Sequence, residues 1–67
     1  MLQLTINGES KLLPESSRVV DALRLFSVDG KRFAVELNGE IVPKGRHAAT
    51  PLKNGDKVEI VIAVGGG

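Results

Sequence analysis

Apolar and polar residues alternate at the start of the chain, over residues 2–6 with the sequence LQLTI. This period of two predicts a strand with one buried face. The pair Asn7-Gly8 follows at once, and because both residues tolerate positive φ, Asn-Gly is the strongest short-range hairpin signal. A second short strand over residues 10–13 then completes a hairpin.

After this hairpin the apolar spacing changes from that of a strand to that of a helix. Four apolar residues fall at i, i+3, i+4 and i+7, namely Val19, Ala22, Leu23 and Phe26. They form a stripe that a helix buries against a sheet. Ser16 and Ser17 offer side-chain oxygens that cap free N–H groups, so the helix is expected to begin near Arg18. The helical region is expected to end at the turn signal Asp29-Gly30.

Three further strands are predicted in the second half of the chain. Alternation over residues 33–37 indicates the third strand, and residues 40–42 form a short edge strand. Residues 44–52 are expected to be a loop, and residues 58–64 form the longest and most apolar strand. Two more turns are marked by Asn-Gly pairs, at residues 38–39 and 54–55.

The order of these elements is strand, strand, helix and then three strands. Because the first and last strands are the most apolar, both are expected near the centre of a mixed sheet, with the helix across one face. The helical crossover allows these two strands to pair in parallel. The sequence therefore predicts an α+β fold of β-grasp type, with about five strands in a domain over residues 1–64. A flexible glycine tail is expected over residues 65–67.

Composition restricts the class of protein. The chain has 67 residues and no cysteine, so it fits one small domain without disulfides, a thiolate nucleophile or a cysteine-based metal site. Its net charge of +1 gives no field that gathers nucleic acid or an anionic membrane. No apolar run has transmembrane length and no signal sequence is visible, so we expect a cytoplasmic protein without a membrane or nucleic-acid partner.

Residues suited to catalysis or metal binding are sparse. His47 is the only histidine, and it has no acid or thiol at motif spacing, so we expect it to be a solvated loop residue. Lys44, Arg46 and Lys53 lie near it in sequence, and these cations form either a solvated loop or a contact for an acidic partner. We therefore expect no enzyme active site and no metal site in this chain.

Gly65, Gly66 and Gly67, the last three residues, offer a different chemistry. A run of glycines is often a disordered end, but here it delivers a free α-carboxylate with no side chain beside it. Once a carboxylate is joined to AMP, a sulfur or nitrogen nucleophile can attack it. Glycine suits such a tail because it permits close backbone approach in a narrow cleft. Another protein has to supply the activation.

Next to the tail, Val61 and Ala63 alternate with the predicted core positions of the last strand. They lie either on a covered sheet face or on a small apolar patch that anchors a transient partner. The candidate partner contacts are Val61, Ala63, Val64, Lys44 and Arg46.

Three stretches of the sequence are informative together: LTING at residues 4–8, AVELNGEIVPK at residues 34–44 and TPLKNGDKVEIVIAVGGG at residues 50–67. They resemble the ThiS family of ubiquitin-like sulfur carriers from thiamine biosynthesis. The resemblance covers essentially the whole chain, and the last stretch is the most specific. Family members often have an aromatic residue in the loop that here reads Gly45-Arg46-His47, so this loop departs from the family pattern.

This resemblance implies a carrier cycle rather than an enzyme. A ThiF-like adenylyltransferase would use ATP and magnesium to adenylate the Gly67 carboxylate. A persulfide from a cysteine desulfurase or rhodanese-type donor would convert it to a thiocarboxylate, and a ThiG-like thiazole synthase would accept the sulfur. Gly67 would react, Gly66 would be the slender approach to it and Gly65 an added hinge. ATP and magnesium would belong to the partner, leaving this chain without a bound cofactor.

Two alternatives to this interpretation stay open. One is a MoaD-like small subunit of molybdopterin synthase, another β-grasp carrier with a Gly-Gly thiocarboxylate, although such chains tend to be longer. The other is a ubiquitin-like protein modifier or binding module, which is conjugated to lysines or simply docks.

Overall fold

The computed structural model describes residues 1–26, 28 and 31–63. Within these residues the chain forms β1 (Leu2–Ile6), β2 (Glu9–Leu13), α1 (Val19–Leu23), β3 (Phe33–Leu37), β4 (Glu40–Val42), a 3₁₀ turn (Lys44–Arg46) and β5 (Lys57–Ile62). This element order agrees with the one predicted from the hydrophobic pattern. The predicted glycine tail lies outside the described residues.

The strands form one mixed sheet in the order β2-β1-β5-β3-β4. β5 lies in the middle, parallel to β1 with Thr5 opposite Lys57, and antiparallel to β3 with Val35 opposite Ile60. β4 pairs only with β3 in this sheet and is an edge strand. The predicted β-grasp topology, with a parallel pair joined through a helical crossover, is therefore confirmed.

The hydrophobic core lies between α1 and one face of the sheet. The largest fully buried side chains come from β1, α1, β3 and β5, and they are Leu4, Ile6, Val19, Val35 and Val58. Burying each such side chain contributes about 1.5–3 kcal/mol. Strand alternation predicted the inward positions of the four strand residues, and helical spacing predicted that of Val19.

The asparagines of the Asn-Gly pairs do more than turn the chain. Asn7 and Asn38 have φ values of 52° and 53°, as a two-residue hairpin of type I′ requires. The Asn7 carboxamide also accepts a hydrogen bond from the Ile60 N–H at 2.7 Å and donates one to the Ile60 carbonyl at 3.2 Å. Asn38 Oδ1 likewise accepts from the Lys57 N–H at 2.9 Å. Two hairpin turns therefore hold the central strand β5 through their side chains.

Two predictions about the helix are wrong. The helix ends at Leu23, before the predicted end at Asp29-Gly30, a pair that lies outside the described residues. Leu25 and Phe26 donate to carbonyls three residues back, so the chain after Leu23 forms turns. Its cap is also different, since Ser16 and Ser17 do not cap it. A carboxylate oxygen of Asp21 accepts from the Arg18 N–H at 2.8 Å.

Carbonyls of the loop before β5 satisfy further free N–H groups at the start of α1. The Val19 N–H donates to the Thr50 carbonyl at 2.9 Å, and the Val20 N–H donates to the His47 carbonyl at 3.0 Å. These distant acceptors replace the predicted serine caps. They also fix residues 47–50 against the helix.

Candidate functional site

The end of β5 is the point from which the predicted tail departs. Phe33 pairs with Ile62 in the sheet, and the Ala63 N–H donates to the Arg32 carbonyl at 2.9 Å. The backbone is therefore held one residue beyond the strand. The candidate residues Val64, Gly65, Gly66 and Gly67 follow directly in sequence and lie outside the described residues.

One face of the sheet is not covered by α1, and apolar side chains lie on it near the end of β5. Val61 is 54% exposed and lies opposite Ala34 of β3, which is also exposed. Ala63 is exposed as well, and Ile41 of β4 is 62% exposed. We call Ala34, Ile41, Val61 and Ala63 the open-face patch. The sequence left open whether Val61 and Ala63 are covered, and in the structure they are not.

Negative charge borders the open-face patch. Glu36 of β3 and Glu59 of β5 are direct cross-strand partners, and like charges in this position are mildly destabilising. Lys57 Nζ lies 3.8 Å from a Glu59 carboxylate oxygen, but an ion pair this exposed contributes little. Apolar surface and exposed carboxylates therefore lie side by side on this face of the sheet.

His47 lies on the other face of the sheet, and the prediction that it is a solvated loop residue is wrong. Its exposed fraction is 8%. Its Nε2 lies 3.0 Å from the Val42 carbonyl oxygen, and because a carbonyl can only accept, Nε2 carries the proton in this bond. The ring also contacts the ring of Phe33, with 5.9 Å between centroids. The 3₁₀ turn after Pro43 directs this side chain inward, and no periodic pattern in the sequence signals it.

The structure divides the cations that are close in sequence to His47. Lys44 and Arg46 are both exposed, but Lys44 lines a groove beside α1 and Arg46 lines a separate depression beside β4. Lys53 belongs to the turn before β5, where its N–H donates to Asp56 at 2.7 Å. They do not form one surface with an accessible histidine.

Residues 1–26, 28 and 31–63 contain no group of three or more His, Cys, Asp or Glu side chains placed to hold a metal ion. Within those ranges, no helix has the length and apolar character needed to span a membrane. The arrangement that the described residues do present is a central strand, anchored through Ala63, with an apolar patch beside its end.

Comparison with known proteins gives this arrangement a family. The sequence profile of the ThiS family matches residues 3–67. The chain is 38% identical to the sulfur carrier protein ThiS of Bacillus subtilis, over the full length of both chains. It is 44% identical over 66 residues to a thiazole synthase of Paramagnetospirillum magneticum, and it spans only 20% of the length of that relative.

A solved structure agrees with the sequence matches. The fold superimposes on the crystal structure of the thiamine biosynthesis protein ThiS from Geobacter metallireducens with a TM-score of 0.79 and 36% identity. The alignment covers 98% of this chain and all of the other. Together with the profile match and the Bacillus subtilis relative, this shows that the chain belongs to the ThiS family of sulfur carrier proteins.

Proposed function

We propose that this chain carries sulfur as a thiocarboxylate on Gly67 and delivers it for thiazole formation in thiamine biosynthesis. The observation that best supports this proposal is the anchoring of β5. That strand is the middle of the sheet, and the chain is held through Ala63. Four residues then follow in sequence, and three of them are glycine. A partner can therefore bind the folded domain while the terminal glycines, which have no side chains, enter its active site.

The proposed cycle has three chemical steps. In the first, the Gly67 carboxylate attacks the α-phosphorus of ATP. Pyrophosphate is the leaving group, and the product is an acyl-adenylate. In the second, the terminal sulfur of a donor persulfide attacks the acyl carbon and AMP leaves, which gives an acyl disulfide. In the third, a partner thiol attacks the sulfur on the donor side of the S–S bond and forms a disulfide with the donor. The thiocarboxylate remains on Gly67.

Each glycine has a separate task in this cycle. Gly67 supplies the reacting carbon, and Gly66 keeps the approach free of a Cβ atom, which suits a narrow cleft. Gly65 adds backbone freedom between the domain and the cleft. ATP and magnesium are bound by a ThiF-like adenylyltransferase, and this chain binds no cofactor of its own.

The proposed acceptor is a ThiG-like thiazole synthase. The relative named thiazole synthase supports this assignment, because a segment similar to this chain makes up about a fifth of its length. Two activities placed in one polypeptide act at high effective concentration, which favours successive steps. The open-face patch is the proposed contact for these partners, since apolar surface beside the tail is lost from water when a partner covers it.

Intact mass spectrometry tests the carrier role. The chain is incubated with ATP, magnesium, a sulfur donor and the adenylyltransferase, and we expect the mass gain of one oxygen-to-sulfur exchange. A variant with one alanine appended after Gly67 should show no conversion, whereas a matched variant with one alanine added before Met1 should convert normally. Equal conversion of both variants, or no conversion with an enzyme that activates another carrier, would overturn the proposal.

The acceptor is tested genetically. If a strain that lacks the gene for this chain needs thiazole for growth, that requirement supports a role in the thiamine pathway. Loss of molybdoenzyme activity instead would indicate a MoaD-like role, and covalent ladders that depend on Gly67 would indicate a protein modifier.

A further inference from the structure

A groove of about 760 Å³ lies between α1 and the 3₁₀ turn, on the face of the sheet opposite the open-face patch. Leu23, Phe26 and Phe33 contribute apolar surface to it, and Lys31 and Lys44 also line it. Phe26 and Phe33 are only half-buried although they pack against the core. We call this the helix-side groove. None of the steps proposed above uses it.

The walls of the helix-side groove are held in place by hydrogen bonds. The Val20 N–H donates to the His47 carbonyl at 3.0 Å, and Arg18 Nη1 donates to the Ala48 carbonyl at 3.2 Å. The His47 ring is fixed between the Val42 carbonyl and Phe33. A groove whose two walls are tied together is largely formed before a partner arrives, so binding there orders little additional structure.

Among the described residues, the charged side chains that line the helix-side groove are all positive. Three cations line it, Arg24, Lys31 and Lys44, and none of the described lining residues is acidic. Arg24 is partly offset by Asp21, whose Oδ1 lies 3.2 Å from Arg24 Nη1. Among the described residues, neither Lys31 nor Lys44 has a carboxylate within 4.0 Å. In a chain whose net charge is only +1, this local excess among the described residues favours an anionic partner.

The position of the groove relates it to the tail. Phe33 lines the groove and pairs with Ile62, so the groove opens beside the end of β5. The open-face patch and the helix-side groove therefore both lie close to the end of β5, one on each side of the sheet.

We propose that the helix-side groove binds an acidic segment of the adenylyltransferase that acts on the tail. Carboxylates of that segment pair with Lys31 and Lys44, and an apolar side chain covers Phe26 and Phe33. An inorganic phosphate would use the cations but gain nothing from the apolar surface, which favours a peptide segment. This inference rests on the proposed function, because it takes the partner to be the protein that activates Gly67.

Binding to the whole adenylyltransferase without ATP tests the groove directly. We expect K31Q/K44Q to weaken binding about tenfold, which corresponds to about 1.4 kcal/mol, since each of the two lost ion pairs is exposed and contributes modestly. The matched control K11Q/K53Q removes the same charge from outside the groove and should change the affinity less than about twofold. Raising the salt concentration should weaken binding of the native chain to the enzyme more than it weakens binding of K31Q/K44Q. Equal losses in the two double variants, or no loss in either, would overturn the proposal.

Amide shifts of Gly45 and Ala48 in NMR spectra locate the contact and identify its chemistry. They should move when the enzyme is added and stay unchanged with inorganic phosphate or pyrophosphate at millimolar concentration. If phosphate alone reproduces the shifts, the groove is an anion site and the proposed acidic segment is wrong. Thiocarboxylate formation by the native chain is measured separately, so its failure refutes the carrier role while the binding comparison still decides the groove.

Discussion

Asn7 offers the sharpest test of how β5 is held. β1 and β5 exchange backbone hydrogen bonds as far as the Asn7 N–H, which donates to the Val58 carbonyl at 2.9 Å. The backbone then turns away, and the Asn7 carboxamide takes over by pairing with both the N–H and the carbonyl of Ile60. The side chain thus extends the parallel ladder by one further rung. N7G removes this rung and keeps the φ of 52° accessible.

The expected cost of N7G follows from the two lost bonds. They are part-buried, and each hydrogen bond contributes about 0.5–1.5 kcal/mol, so the free energy of unfolding should fall by about 1–3 kcal/mol. A chain of this length has a total of roughly 3–10 kcal/mol, so the loss is a substantial share. N38G is the matched control, because Asn38 has the same turn and a φ of 53°, but its side-chain bonds are exposed. Water replaces exposed bonds, so N38G should cost less than about 1 kcal/mol.

Urea unfolding followed by circular dichroism gives the two free energies, and hydrogen exchange gives the opening of the Ile60 amide. In N7G that amide should exchange faster, whereas in N38G it should keep most of its protection. Equal losses in the two variants, or an unchanged Ile60 amide in N7G, would refute the idea that the carboxamide extends the ladder. Because both changes introduce glycine at the same backbone conformation, their effects on the unfolded chain cancel.

Three other predictions can be checked with the same purified chain. G39A should lower the free energy of unfolding by about 1 kcal/mol, and with it the midpoint of thermal unfolding, because Gly39 has a φ of +87°. No atom blocks the new Cβ at either Gly39 or Gly45, but Gly45 has no positive φ, so G45A should leave the midpoint unchanged. H47A should cost about 2–3 kcal/mol in urea unfolding, since it empties a buried site and removes the donor to the Val42 carbonyl; a loss below about 0.5 kcal/mol would contradict this. V61T keeps a β-branched side chain and should leave stability within about 0.5 kcal/mol while calorimetry shows weaker binding to the adenylyltransferase; unchanged binding would exclude Val61 from the contact.

The sheet could be predicted because its signals are local. Alternation over residues 2–6 and 33–37 fixes which side chains face inward, and the Asn-Gly pairs mark the turns. The parallel pairing of β1 with β5 follows once a helix separates them. None of these inferences requires knowledge of a distant contact.

The parts that could not be predicted depend on distant contacts. His47 is buried because the 3₁₀ turn directs it toward Phe33 and the Val42 carbonyl, and no sequence period records that arrangement. The prediction of serine caps for the helix was wrong for the same reason, since the carbonyls of residues 47 and 50 accept hydrogen bonds from the N–H groups that the serines were expected to cap. The helix-side groove is made by both of these contacts. In contrast, the proposed role of Gly67 rests on the chemistry of its carboxylate, so it could be proposed without knowledge of side-chain packing.

The place of β5 in the sheet has a consequence for the synthesis of the protein. β1 with β2 and β3 with β4 are two separate hairpins, and in the sheet only β5 joins them. A nascent chain therefore cannot complete its sheet until residues 57–62 have left the ribosome. Any product that stops earlier is left with two unjoined hairpins, which are marginal on their own, and is exposed to proteases. A cell thus accumulates folded domains only from chains whose synthesis has passed β5 and is within a few residues of the three glycines.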